Sequence, residues 1–130
     1  MSIVLVRHGE TDGNATRVLQ LPDIPLNARG MRQAERLAER LHGQPIRYIV
    51  CSDLLRAQMT AAPIAARLGL PVETTPLLQE RNFGDLRGKS YLEVGGNPFA
   101  PDFVPPNGES WPVFHERVAK AFAYIAELRA

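Results

Sequence analysis

Ile3-Val4-Leu5-Val6-Arg7-His8-Gly9-Glu10-Thr11 is the stretch whose reading decides the fold. Four apolar residues run directly into an arginine, a histidine and a glycine. A short apolar run bounded by polar residues suits a strand buried on both faces, as in a parallel sheet. Ligands of open α/β sheets sit beyond the carboxyl ends of such strands, which is where Arg7 and His8 fall. Adjacent residues of a continuing strand point to opposite faces. Both can reach one crevice only if the strand ends here and Gly9 opens a turn.

The segments downstream supply the rest of a sheet. Glu10 to Leu26 reads as an irregular, functional loop, with Pro22 and Pro25 close together near its end. Asn27 reads as an N-cap, and Met31, Ala34, Leu37, Ala38 and Leu41 recur at helical spacing up to His42-Gly43. Ile46 to Cys51 is a second apolar strand. Ser52 or Asp53 then caps a helix from Leu54 toward Leu68, which Pro63 is expected to kink or split. Gly69 and Pro71 end it, and Pro71 to Thr74 is a third strand. Strand, helix, strand, helix, strand is the pattern of a parallel α/β sheet. The carboxyl ends of the first two strands share an edge, so Arg7, His8 and the Ser52–Arg56 segment line one crevice.

From Leu77 to Gly108 the periodicity dissolves into glycine, proline and aromatics. This span is expected to be an ordered cover over the carboxyl edge, with a short helix near Ser90 to Val94. Ser110 caps a last helix that tolerates Pro112 in its first turn. Val113, Phe114, Val118, Ala121, Phe122 and Ile125 form its expected buried stripe.

Composition narrows the function classes. The chain has 130 residues, enough for one domain (1–130) with a real core. Fifteen basic residues against 14 acidic ones give a net charge of +1, no general field for nucleic acid or an anionic membrane. Anion binding must come from a local cluster. The single cysteine, Cys51, excludes an internal disulfide and fits a reducing compartment. No apolar stretch approaches the roughly 20 residues of a membrane helix, and the N-terminus lacks the pattern of a secretory signal. A cytoplasmic location is expected.

A lone histidine at a strand end is most often a structural residue, and a lone Arg56 on a first helical turn most often faces solvent. Together they mean more. Two guanidiniums, Arg7 and Arg56, brought beside His8 form an anion site, and planar forks suit phosphate oxygens. Cys51 and Arg56 superficially suggest a cysteine phosphatase loop, but the spacing is one residue short and holds no glycine. Cys51 reads instead as a small apolar residue ending a strand.

Leu5-Val6-Arg7-His8-Gly9-Glu10-Thr11 with Asn14 resembles the signature of the histidine phosphatase superfamily, the phosphoglycerate mutase-like fold. The resemblance continues through Pro25 to Gly30 with Gln33-Ala34, Cys51 to Ala57 with Thr60-Ala61, Leu78 to Gly84 with Leu86 and Gly88, and Pro105 to Ser110. These motifs follow the family's order over nearly the whole chain, in the style of its small broad-specificity phosphatases. The resemblance implies a three-layer α/β/α fold with a mostly parallel central sheet, whose C-terminal part is expected to be absent from this chain.

It also implies roles. His8 would be the nucleophile that forms a phosphohistidine, and Glu80 the proton donor to the leaving oxygen. Arg7 and Arg56 would hold the phosphate, with Asn14 and then Thr11 as further donors. A general acid must start protonated, so Glu80 is expected to have a raised pKa. The nucleophile is held against the charge of the phosphate by the two arginines. The family's second histidine lies on a strand past Ala130, and His42 and His115 do not replace it. No metal or cofactor is expected. The expected partner is a small phosphorylated substrate, with a homodimer as the alternative to a monomer; nucleic acid and membrane are not expected. Three readings stand: a phosphomonoesterase, a phosphoglycerate or phosphosugar mutase, and a non-catalytic phosphate-binding module.

Overall fold

A computed structural model describes residues 3–129, with the side chains of residues 3–128. Its sheet is small: β1 (Ile49–Cys51) and β2 (Val72–Thr74) run parallel, with Ile49 opposite Val72, Val50 opposite Glu73 and Cys51 opposite Thr74. Between them in sequence lies a helix, which makes this the expected βαβ unit. Only the last three residues of the expected second strand join the ladder, and Tyr48 is exposed.

Four helices accompany the sheet. α1 (Asp12–Thr16) interrupts the loop expected after the first strand. Its five residues show no apolar period, and its signal is the Thr11…Asn14 spacing of a reciprocal cap. α2 (Ala28–Leu41) starts where expected, with Asn27 Oδ1 accepting from Gly30 N at 2.9 Å, and buries Ala34 and Ala38. α3 (Leu55–Leu68) packs on α2 and against both strands. Neither expected cap serves it: Leu54 is the N-cap residue, Ser52 Oγ accepts from Leu54 N, and Asp53 Oδ1 accepts from Gln79. Pro63 does not split α3 either. Packing on α2 and the sheet holds both halves, outweighing the hydrogen bond that proline removes.

α4 (Trp111–Arg129) starts at Ser110, whose Oγ accepts from Val113 N, and packs on the 3₁₀ turn at Pro76–Leu78. The stripe expected on α4 is only partly buried. Ala121 is enclosed, but Val113 is exposed and Phe122 is 59% exposed. No helix of the described residues is long and apolar enough to cross a membrane.

The cover is ordered as expected, with a different internal design. Ser90 to Val94 is a set of turns, and Ser90 bridges Val18 in antiparallel fashion. Leu19 N donates to Lys89 O, and Gly88 N and Tyr91 N donate to Leu19 O and Arg17 O, so this pairing takes the place of a helix. Phe99 meets Phe83 and Tyr91 edge-on, with centroids 5.7 and 5.3 Å apart. Arg81 anchors the rest. It is buried, donates to the carbonyls of Pro98, Phe103 and Glu109, and lies over the Phe83 and Trp111 rings.

The decisive stretch departs from expectation along most of its length. Ile3 to Arg7 carries no strand assignment, and no described residue pairs with it in a sheet. Its apolar side chains are exposed, Leu5 at 88%. A strand buried on both faces needs neighbours on both edges, and the strands described here pair only with each other. The end of the stretch is where it becomes fixed. Gly9 is buried, Gly9 N donates to Thr60 Oγ1 at 3.0 Å, and Glu10 N donates to Gln33 Oε1 at 2.8 Å. A Cβ on Gly9 would lie 2.6 Å from the Gly30 carbonyl oxygen, so only glycine permits α2 to approach this closely.

Candidate active site

Three of the residues singled out in the sequence meet at one carboxylate oxygen. His8 Nε2 lies 2.9 Å and Arg56 Nε 2.8 Å from Glu80 Oε1. They arrive from three places: the irregular segment before α1, the first turn of α3, and an irregular segment after the 3₁₀ turn at Pro76–Leu78. Arg56 is 4% exposed and spends Nη1 on the Leu21 carbonyl at 2.9 Å. Its Nη2 makes no hydrogen bond among the described residues, and no unpartnered buried side-chain polar atom exists among them. Nη2 therefore has access to solvent, which suits an incoming anion.

Thr60 ties the first two together. Its hydroxyl accepts from Gly9 N and donates to Arg56 O at 2.8 Å, linking the histidine's segment to the arginine's helix. The Thr60-Ala61 pair is visible in the sequence, but nothing in its spacing reveals this role.

The hydrogen bonds fix the proton positions. His8 Nδ1 sits 2.6 Å from the Gly9 carbonyl, which can only accept, so Nδ1 carries hydrogen. Burial alone would raise the Glu80 carboxyl, but hydrogen bonds from His8 and Arg56, with their charges, hold it down at about 2. The carboxylate is thus ionised, and Nε2 must donate to it. In this geometry Glu80 accepts from both side chains. The raised pKa expected for Glu80 is reversed here, because two cationic donors outweigh the apolar surroundings.

The other expected phosphate donors stand apart from this cluster. Arg7 is exposed, makes no hydrogen bond among the described residues, and lines a cavity of about 210 Å³ with His8, Gln33 and Leu37. Thr11 is fully buried as the N-cap of α1, its hydroxyl accepting from Asn14 N and bonded to Gln20 Oε1. Asn14 Oδ1 closes that cap by accepting from Thr11 N, which leaves its amide nitrogen without a partner among the described residues. Cys51 takes no part. Burial and the neighbouring Asp53 push its thiol up, away from the thiolate a nucleophile needs.

His8, Arg56 and Glu80 thus converge at one carboxylate oxygen beside the start of α3. The sequence profile of the histidine phosphatase superfamily (branch 1) matches residues 3–130. The chain belongs to that superfamily.

Its relatives carry more than one activity in their names. The adenosylcobalamin/alpha-ribazole phosphatase of Escherichia coli is 33% identical over 99% of this chain and 68% of its own length. A probable phosphoglycerate mutase of Yersinia enterocolitica is 49% identical over 66% of this chain, but that match covers only 40% of the mutase. Among solved structures, a putative alpha-ribazole-5'-P phosphatase from Escherichia coli gives a TM-score of 0.85 at 32% identity, covering 95% of this chain and 66% of that one. A mycobacterial glucosyl-3-phosphoglycerate phosphatase in complex with VO3 gives 0.82 at 30% identity, covering 93% and 62%. The chain thus spans about two thirds or less of most of these relatives. Its fold class is theirs, a mixed α/β fold of the phosphoglycerate mutase type with a small parallel sheet.

Proposed function

We propose that the protein is a phosphomonoesterase that hydrolyses a small phosphorylated metabolite through a phosphohistidine on His8. The observation that carries this reading is the shared contact of His8 Nε2 and Arg56 Nε with one oxygen of Glu80. A nucleophile, an anion clamp and a proton carrier lie within hydrogen-bond reach of a single point.

This geometry supports one order of events. A phosphoryl dianion entering beside Arg56 draws the arginine's hydrogen bond away from Glu80 and adds negative charge beside it. Both changes raise the affinity of Glu80 for a proton. The Nε2 hydrogen then crosses the 2.9 Å contact to Glu80 and leaves a neutral imidazole with a free lone pair. Nε2 attacks phosphorus, the bond to the ester oxygen breaks, and Glu80 returns the proton to that leaving oxygen. Water next attacks the phosphohistidine and gives a proton to Glu80, releasing phosphate and the free ring. Throughout, the Gly9 carbonyl holds Nδ1 and so presents Nε2. Arg56 neutralises the charge on the transferring oxygens. Arg7 and Asn14 are proposed as further donors through their unpartnered nitrogens, while Thr11 acts through the cap that orients Asn14.

His8→Ala is expected to abolish turnover of an aryl phosphate and the acid-labile label left on the protein by a phosphorylated substrate. Turnover that survives the substitution would overturn the mechanism. The mutase name among the relatives supports a second reading, in which the same phosphohistidine passes its group to another hydroxyl. Release of inorganic phosphate favours the first and release of an isomer the second. Phospholigand binding without a labelled histidine would mean a binding module.

A further inference from the structure

Glu80 belongs to no helix or strand, and its side chain is 51% exposed, so something other than regular structure must aim it. The answer lies on α4, away from the reacting groups. The Arg117 guanidinium donates through Nη1 to the carbonyls of Leu77 and Gln79, at 2.9 and 2.7 Å, and through Nη2 to the carbonyl of Glu80 itself at 3.1 Å. The same group forms a two-pronged ion pair with Glu109, Nε to Oε2 at 2.8 Å and Nη2 to Oε1 at 2.7 Å. Glu109 in turn grips the chain just past Glu80: Oε1 accepts from Asn82 N at 2.8 Å, and Glu109 N donates to Asn82 O at 2.7 Å. The backbone is therefore tied on both sides of Glu80 to one ion pair, of which both members are largely buried.

We propose that Arg117, backed by Glu109, is a positioning residue that holds Glu80 against His8 and Arg56. For the chemistry this rests on the phosphatase reading, but the positioning itself does not. Arg117 hydrogen-bonds none of the reacting groups and meets Glu80 only at its main-chain carbonyl. A planar fork with donors on several edges suits an arc of three carbonyls plus a carboxylate, whereas a lysine ammonium can serve only part of it. The titratable and charged groups facing the Glu80 carboxylate are His8 from the segment before α1 and Arg56 from α3. The Glu109 carboxylate faces Arg117, with the Arg81 charge nearby.

The test follows the Glu80 carboxyl by ¹³C NMR through a pH titration. In the parent protein it is expected to titrate at about 2. Arg117→Gln frees the backbone, weakens both contacts of the carboxylate, and is expected to move the midpoint up toward the ordinary glutamate value of about 4.3. Arg117→Lys is expected to recover part of the shift. Glu109→Gln keeps an acceptor for Asn82 N while removing the charge, and is expected to give a smaller rise. With an aryl phosphate, Arg117→Gln should lower kcat on the order of tenfold to a hundredfold through misplacement of the acid. Inhibition by inorganic phosphate should not weaken, since phosphate competes with Glu80 for His8 and Arg56. Folded variants in which Glu80 titrates as in the parent overturn the proposal, since a merely structural Arg117 would not move that midpoint. If Arg117→Gln fails to fold, Arg117→Lys and Glu109→Gln decide by the same midpoint. A parent protein without phosphatase activity overturns the proposed function, while the titration still decides the positioning.

Discussion

Thr60 shows how one buried hydroxyl can set the spacing of a site. It is 5% exposed and is the acceptor that satisfies the buried Gly9 N–H, while its own hydrogen goes to Arg56 O. Thr60→Val keeps the shape and leaves that N–H without a partner, which costs about 1–3 kcal/mol. Urea unfolding should show the loss, and Thr60→Ser should recover most of it; a valine variant as stable as the parent would mean Gly9 N finds another acceptor. Residues of this kind explain what was legible in the sequence at this scale. His8, Arg56 and Glu80 could be identified because each stands at an element end or inside a motif. Thr60, Glu109 and Arg117 act through main-chain atoms of distant segments, and a sequence carries no period or spacing that marks such bonds.

At the scale of elements, the segment at Gly9 and Glu10 approaches the start of α2 closely. Gly30 is a helical residue, where alanine would ordinarily be favoured by about 1 kcal/mol. Here the added Cβ would run into the Glu10 carbonyl, which already accepts from Asn27 N at 3.0 Å. Gly30→Ala is therefore expected to lose about 1–3 kcal/mol in place of that gain, by the usual cost of overpacking. Thermal unfolding checks it, and a raised melting temperature would mean the Glu10 backbone can move aside. α2 and β2 were legible because the cap, the apolar period and the β-branched run agree with their packing, and α3 through its terminating Gly69, although neither expected N-cap serves it. Ile3 to Val6 was misread for a physical reason. Its pattern describes what the residues would do between two strands, and no described strand lies beside them. The turns at Ser90 to Val94 were misread because pairing with Val18 depends on a segment more than 70 residues away.

At the scale of the whole molecule, two carboxylates add to the Val18–Ser90 bridge and the packing of α4 on the Pro76–Leu78 turn in holding the cover and α4 in place. Glu80 reaches back to His8 and Arg56, and Glu109 joins the segment after Glu80 to Arg117. Both carboxyls are held below the ordinary glutamate range. For Glu80, burial is outweighed by hydrogen bonds from His8 and Arg56. For Glu109, the hydrogen bond from Arg117 leads, with burial opposing it and Asn82 N adding to it. A carboxyl whose folded pKa lies below its unfolded value contributes stability that is fully present above about 4.3 and is lost as pH falls through the folded value. For Glu80 that window closes near 2. The Glu80 contribution is no more than about 1 kcal/mol, since half its side chain is exposed to screening solvent. So small a loss does not unfold the molecule, but it falls on the contacts that hold the cover down. Between pH 5 and 2, amide exchange at residues 98–109, corrected for the intrinsic rate, should accelerate while α2 and α3 keep their protection. Exchange of α2 and α3 in step with the cover would show instead that acid acts on the molecule as one cooperative unit, and that these two carboxylates do not set the stability of the cover separately.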